Sequence, residues 1–173
     1  MSTITEEYRK LNEQLHENPE YGSRNAHRWV KIIQDLTWEL ETFSVLDYGC
    51  GKGNLSKELS KMPVKNYDPA IPEFSATPEP EDIVICTDVM EHVEPDCLDD
   101  VIADLKRVTN IALVVNIALR PAKKVLADGR NAHLIIEDIE WWMDKFLKHF
   151  DLSFIQGENG KDVTMILYKR VEH

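Results

Sequence analysis

Apolar residues recur at two spacings along this chain, and the alternation between them predicts its architecture. Trp29, Ile33, Leu36 and Leu40 fall three and four apart, which makes one face of a helix that Ser23 can cap. The more polar stretch from Glu6 to Glu17 is expected to be helical as well. Short apolar runs at 43–48, 64–67, 82–86, 111–117, 151–155 and 162–169 read as strands, and the segments 54–62, 97–108 and 137–149 between them read as helices. Helix and strand in turn mean a mostly parallel sheet covered on both faces. Asp96 reads as a helix cap, and of Trp141 and Trp142 one is expected to pack on the sheet while the other closes over a ligand. Only thirteen residues separate Asp68 from Asp82, and Pro69, Pro72, Pro78 and Pro80 are four of them, too few and too rigid for a further helix and strand. That edge is expected to be truncated.

The first strand feeds the most informative stretch, Val45-Leu46-Asp47-Tyr48-Gly49-Cys50-Gly51-Lys52-Gly53-Asn54-Leu55. An apolar run ending in an acid and alternating glycines describes a strand entering a tight turn, where the missing Cβ atoms let a ligand approach the backbone. The following helix turns its free N–H groups toward that turn. Such a turn suits a dinucleotide, but the dinucleotide pattern is G-x-G-x-x-G, whereas Gly49, Gly51 and Gly53 run G-x-G-x-G. Asp68 ends the second strand, fifteen positions after Gly53, where an acid accepts hydrogen bonds from ribose hydroxyls; a nicotinamide enzyme places one there too.

With Asp82-Ile83-Val84-Ile85-Cys86-Thr87-Asp88-Val89-Met90-Glu91-His92-Val93 further on, the chain resembles the class I S-adenosylmethionine-dependent methyltransferases over residues 40 to 170: the glycine turn is similar to their motif I and the second stretch to their fourth strand and motif IV. The resemblance implies an α/β fold, a three-layer Rossmann-like sandwich whose mostly parallel sheet is of the seven-stranded type with the last strand antiparallel. It also implies an S-adenosylmethionine site formed by Asp47, Tyr48, Gly49, Cys50, Gly51, Asp68, Pro69, Thr87, Asp88 and Val89. The chain departs from the family at the short third-strand edge, where Glu73, Phe74, Ser75 and Ala76 are the residues available to border the adenine. One methyltransferase domain, 1–173, is expected, with residues 1–40 as helices over the cofactor and acceptor side, 41–170 as the core and 171–173 as a tag remnant. Tyr21-Gly22 is expected to fold over the cofactor or to form a plain helix-entry turn.

Ligands of open α/β sheets sit at the carboxyl ends of the strands, which should bring Asp47, Asp68, the segment 87–92 and the segment 116–133 to one crevice. The methyl of S-adenosylmethionine is already activated on a sulfonium, so catalysis needs alignment and, for some acceptors, a base. His92 and His133 are the natural bases, with Glu91 beside them. Asp88, Glu91 and His92 with the distant His133 also resemble the ligand set of metal-dependent O-methyltransferases, such as those acting on small-RNA 3′ ends, which implies a site for Mg²⁺, Mn²⁺ or Zn²⁺ made by Asp88, Glu91, His92 and His133.

Charge narrows the acceptor. A formal net charge of −11 opposes a footprint on duplex nucleic acid, so a small or medium-sized acceptor methylated on oxygen or nitrogen is expected. RNA 3′-terminal 2′-O-methylation and a non-catalytic cofactor-binding subunit are the alternatives. Arg120, Lys123, Lys124 and Arg130 gather after the fifth family strand, as a solvated loop or as a seat for a substrate anion. Cys50, Cys86 and Cys97 are odd in number and form no C-x-x-C pair, which predicts reduced thiols in place of disulfides or zinc. No membrane span and no signal peptide are visible, and a cytoplasmic location is expected.

Overall fold

Strand residues in this protein are apolar on both faces because both faces are covered. In β1 (Val45–Tyr48) and β3 (Glu81–Thr87), Val45, Ile83 and Ile85 pack on one side, while Leu46, Tyr48, Val84 and Cys86 pack on the other. The period of two thus sorts one run of side chains into two cores. The first core is closed by α2 (His27–Glu39) through Trp29, Ile33 and Leu36, and by the short α3 (Asn54–Glu58) through Leu55. The second is closed by α4 (Leu98–Val108) and α5 (Ile139–Phe146), whose Ile102, Leu105, Trp142 and Phe146 are fully or almost fully buried. Removing each such side chain from water contributes roughly 1.5–3 kcal/mol. This computed structural model describes residues 2–17 and 26–170; Ser23, Tyr21-Gly22 and the segment 171–173 lie outside the described residues.

The six-stranded sheet has the order β2-β1-β3-β4-β6-β5, with β2 (Val64–Tyr67), β4 (Thr109–Ala118), β5 (Phe150–Glu158) and β6 (Asp162–Lys169). Pairings β1 to β2, β1 to β3 and β3 to β4 are parallel, and β6 runs against both β4 and β5. The expected reversal of the last strand is therefore present. The expected truncation of the edge beyond β2 is present as well: the link after Asp68 holds only the 3-10 turn Pro72–Phe74, so β2 is the sheet edge. Four prolines in thirteen residues leave too few backbone donors for a strand ladder there.

Several local expectations are corrected. The helix expected at 54–62 stops at Glu58, and Leu59 closes it by donating to Leu55 O. Asp96 caps nothing; it lies in the 3-10 turn Pro95–Cys97, and α4 starts after Cys97 with no side-chain cap. Asp138 is the acid that caps, accepting the Trp141 N–H at the start of α5. The last two strands form a long hairpin, and β5 is exposed along its length after Phe150. The three cysteines are buried free thiols, as expected. Among the described residues no helix is long and apolar enough to cross a membrane.

The glycine turn is held by both neighbours of β1. The N–H groups of Gly49 and Cys50 both donate to Tyr67 O at the end of β2. On the other side, a Cβ on Gly49 would lie 2.4 Å from Val89 Cγ2, so the turn and the segment after β3 meet at van der Waals contact. Gly49 also has φ 79°, in the left-handed region. Gly160 shares that conformation, φ 78°, with nothing within 4 Å of its missing Cβ. Gly160→Ala should therefore cost about 1–2 kcal/mol of backbone strain, and Gly49→Ala a further 1–3 kcal/mol or so from the clash with Val89. Equal denaturant midpoints for the two variants would show that the turn does not press on Val89.

Candidate active site

A cavity of about 560 Å³ opens at the carboxyl ends of β1 to β4. Asp47, Tyr48, Gly49, Cys50, Gly51, Asp68, Pro69, Thr87, Asp88 and Val89 all line it, as do Glu91, His92 and His133. The sequence-derived set is thus brought to one place. Beyond Asp68 the wall is Pro69 and Ala70, not Glu73 to Ala76. Trp142 is fully buried in the core and Trp141 stacks edge-on against it under Lys145, so neither closes over the cavity.

Asp68 shapes the turn directly. Its Oδ2 accepts the Gly51 N–H at 2.9 Å and its Oδ1 accepts the Ala70 N–H at 2.9 Å. Each carboxylate oxygen has a second lone pair left for a ligand hydroxyl. Asp47 is buried at the end of β1, where desolvation first and the Asp68 charge second push its carboxyl up to about 7. Burial, and after it the same two acids, raise the Cys50 thiol well above its ordinary value, which keeps it an unreactive neutral group. Tyr48 turns its hydroxyl away, donating to Asp104 on α4 at 2.9 Å.

The second half of the cavity is built on the 3-10 turn Met90–His92. Glu91 is wholly buried, and its backbone carbonyl accepts the N–H groups of Leu134 and Ile135. Its Oε1 accepts the Ala118 N–H at the end of β4 at 3.0 Å, while its Oε2 has no protein partner. Burial, with the Asp88 charge second, pushes this carboxyl up to about 8. His92 Nδ1 faces Ala132 O at 2.8 Å and His133 Nδ1 faces Arg120 O at 2.5 Å. A carbonyl only accepts, so each Nδ1 carries the proton and each neutral ring leaves Nε2 as an acceptor. The two rings meet edge to face with centroids 4.8 Å apart. Burial, then the proximity of His133, pulls His92 down to about 4, so it is neutral at pH 7.

One ligand atom each from Glu91, His92 and His133 lies within 4.8 Å of the others. Asp88, expected as a fourth ligand, is not in that group. It follows β3 at φ 55° with its N–H donating to Asn116 O, and its charge adds to the rise of the Glu91 carboxyl.

Two sets of contacts were not legible in the chain. The first is made by α1 (Glu6–His16), a helix that was expected: it packs Tyr8 against Leu126 and Ala132 and donates the Tyr8 hydroxyl to His92 O at 2.6 Å. Thr5 binds the Glu94 carboxylate through both N–H and hydroxyl, and His16 reaches the Gly51 backbone. The second is made by the connection between β4 and α5, folded as a small hairpin with Val125 bridged to Asn131. Asn131 clamps Ala122 by both its polar side-chain atoms, and Ala132 N–H donates to Lys124 O. Arg120, Lys123 and Lys124 line the cavity from this hairpin, whereas Arg130 pairs with Asp128 and lies over the Tyr8 ring.

The chain is similar in fold to several solved proteins at low identity. The PH0226 protein of Pyrococcus horikoshii superposes with a TM-score of 0.65 at 12% identity, over 91% of this chain and 99% of that one. The 1,6-didemethyltoxoflavin-N1-methyltransferase of Burkholderia thailandensis, solved with S-adenosylhomocysteine, gives 0.62 at 14%, over 98% and 92%. The magnesium protoporphyrin IX methyltransferase of Synechocystis, solved with S-adenosylmethionine, gives 0.60 at 13%, over 98% and 100%. No curated protein matches by sequence. The model of a family described as a methyltransferase domain matches residues 7–159. With the acid-and-glycine turn, the second-strand acid and the strand order all in place, the chain belongs to that family and is a class I S-adenosylmethionine-dependent methyltransferase.

Proposed function

We propose that the enzyme transfers the methyl group of S-adenosylmethionine to an oxygen or nitrogen of a small or medium-sized acceptor seated beside His92 and His133. The observation that carries this reading is the pair of imidazoles with Nδ1 fixed on backbone carbonyls and Nε2 left as acceptor at the cavity wall. The cofactor is assigned to the other half. Asp68 accepts its ribose hydroxyls, the backbone of Tyr48 to Gly51 follows its amino-acid portion, Pro69 borders the nucleoside, and Asp47, Thr87, Asp88 and Val89 complete the wall. The methyl carbon is then attacked in line by the acceptor atom. The acceptor's proton passes to Nε2 of His133 or of His92, and Glu91 fixes the turn that carries His92. The Burkholderia and Synechocystis neighbours both act, by name, on small molecules, in keeping with a cavity of this size.

Divalent-cation assistance is a second reading, favoured by one observation: Glu91 Oε2 is buried without a partner and sits in a group with the ring nitrogens of His92 and His133. Both rings donate Nδ1 to carbonyl oxygens, as metal-binding imidazoles do. Glu91, His92 and His133 would hold the ion, which when bound lowers the pKa of an acceptor hydroxyl and orients it. Asp88, expected as a fourth ligand, stands outside this group, which leaves three.

Turnover is measured as S-adenosylhomocysteine release with a panel of hydroxylated and aminated small molecules. His133→Ala should lower turnover by about 10² or more with cofactor affinity unchanged. If strong chelation abolishes turnover and leaves S-adenosylhomocysteine binding intact, the cation reading holds; if it changes nothing, the imidazoles act alone. A His133→Ala enzyme with full turnover on every accepted compound would remove both readings.

Asp68→Ala removes the ribose acceptor together with the clamp on Gly51. Calorimetry should then show S-adenosylhomocysteine binding weakened by roughly 1.5–3 kcal/mol or more. Unchanged affinity would sink the cofactor assignment.

Asp47 makes a pH prediction for the ligand-free protein. Its carboxyl is raised to about 7 from an ordinary 3.8, so the folded state holds a proton that the unfolded chain releases. The stability this contributes is fully present below pH 3.8 and is lost as pH rises through about 7. The Tm should therefore carry a falling component between about pH 4 and 7 that Asp47→Asn removes. Identical pH slopes for the two proteins would contradict it.

A further inference from the structure

The cavity's charges are divided unevenly, and the division follows the hairpin. The turn after β1 and the end of β2 bring Asp47 and Asp68, and the segment after β3 brings Asp88, Glu91 and Glu94. Arg120, Lys123 and Lys124 come from the connection after β4, in a chain whose net charge is −11. Three cations within five residues, all lining one cavity of an acidic protein, create a local field opposite in sign to that of the whole molecule.

That connection is ordered, not a loose loop. The antiparallel bridge Val125 to Asn131 is extended by the bonds from Ala132 N–H to Lys124 O and from Leu126 N–H to Arg130 O. Asn131 fixes residue 122 immediately before the two lysines. Arg120 is fixed as well, since its carbonyl receives the His133 ring and its guanidinium donates to Lys161 O at 2.6 Å, leaving further N–H groups on the same fork. The element that orients the proposed base thus also holds the cations, and it fixes their spacing from that base.

We infer that Arg120, Lys123 and Lys124 seat an anionic group of the methyl acceptor, a carboxylate or a phosphate, while His133 on the same hairpin faces the atom to be methylated. The inference rests on the methyltransferase reading of this cavity and adds the acceptor's charge class to it. A hydroxy- or amino-substituted acid meets the requirement: one end anionic, the other nucleophilic, the two ends separated by the width of the hairpin. A neutral acceptor would forgo the attraction of that local field, so the site favours an acid over its neutral counterpart.

The test uses the whole protein saturated with S-adenosylhomocysteine and three probes: inorganic phosphate, benzoate, and benzamide as the neutral counterpart of benzoate. Ligand-observed NMR titration at low salt should give binding by phosphate, by benzoate or by both, and this distinguishes a phosphate seat from a carboxylate seat. Binding should weaken as salt is raised, and benzamide should bind at least about fivefold more weakly than benzoate. Lys123→Ala/Lys124→Ala should lower anion affinity about fivefold or more with S-adenosylhomocysteine affinity unchanged, and Lys123→Arg/Lys124→Arg should restore it. Three results overturn the inference: no anion binds the cofactor-loaded protein, benzamide equals benzoate, or the alanine variant keeps its anion affinity. A fourth, loss of S-adenosylhomocysteine affinity in the alanine variant, would assign the cations to the cofactor's own carboxylate and overturn it too. A wild-type protein that binds no S-adenosylhomocysteine is a different failure, that of the methyltransferase reading beneath it.

Discussion

Glu91 ties the acceptor half of this enzyme together. A carboxyl group removed entirely from water is costly unless it is hydrogen-bonded, and here it is bonded only in part. Its Oε1 takes the backbone N–H of Ala118 as β4 ends, and its own carbonyl takes two N–H groups from the segment that returns to α5. One residue therefore joins the turn after β3, the end of β4 and the base of the hairpin. His92 follows it directly, and Ala132 O and Arg120 O on the joined segments fix the two imidazoles. Remove the carboxylate, and the end of β4 and the histidine pair lose their common anchor.

The cofactor half obeys a different constraint, close approach. Gly49 is pressed from one side by Val89 and tied on the other to Tyr67 O, so β1 can deliver its turn to the cavity only without a side chain there. Asp68 then takes over a task that a longer sheet would share. With no third family strand beyond it, β2 is an edge, and the Asp68 carboxylate itself holds the Gly51 and Ala70 amides. The prolines that abolish the missing strand follow at once, and the chain needs a side-chain clamp where backbone pairing is unavailable.

What could be read in the chain is what depends on short-range rules. Val45 to Tyr48 and Ile83 to Cys86 announce strands because alternate residues must face two cores, and Gly49 and Gly51 announce a turn because φ there is positive. The proline count between Asp68 and Asp82 was enough to foresee the truncated edge. What failed depends on tertiary competition. Asp96 has the form of a cap, but Pro95 starts a 3-10 turn first and α4 begins with no side-chain cap. Asp88 has the spacing of a metal ligand, but spacing says nothing of its positive φ or of which ligand atoms the folded turn groups, and those are on Glu91, His92 and His133. Tyr8 and Asn131 carry no local signal at all, since their partners, His92 O and Ala122, are set by how α1 and the hairpin pack. β5 ran longer than its apolar run because pairing with β6 extends it through Gln156, Gly157 and Glu158, residues with little strand preference of their own.

Among the described residues, the buried acids left energetically unsettled gather in one place. Asp47 and Glu91 are raised by burial, and Glu91 Oε2 lacks a partner, all of them at the cavity wall. Buried acids elsewhere are answered: Glu81 by Lys65 and the Ser44 hydroxyl, Asp104 by Arg107 and Tyr48. A fold that satisfies its acids everywhere except around one cavity is holding that cavity ready for donors it does not itself possess. Under the proposed function, a sulfonium cofactor bearing hydroxyl and ammonium donors would meet Asp47 and Asp68 in the first half, and a proton or a cation would meet Glu91 and the imidazoles in the second. Ligand binding would then relieve desolvation already incurred on folding, so affinity here draws on the stability of the free protein, and the two must trade against each other as pH decides which acids are charged.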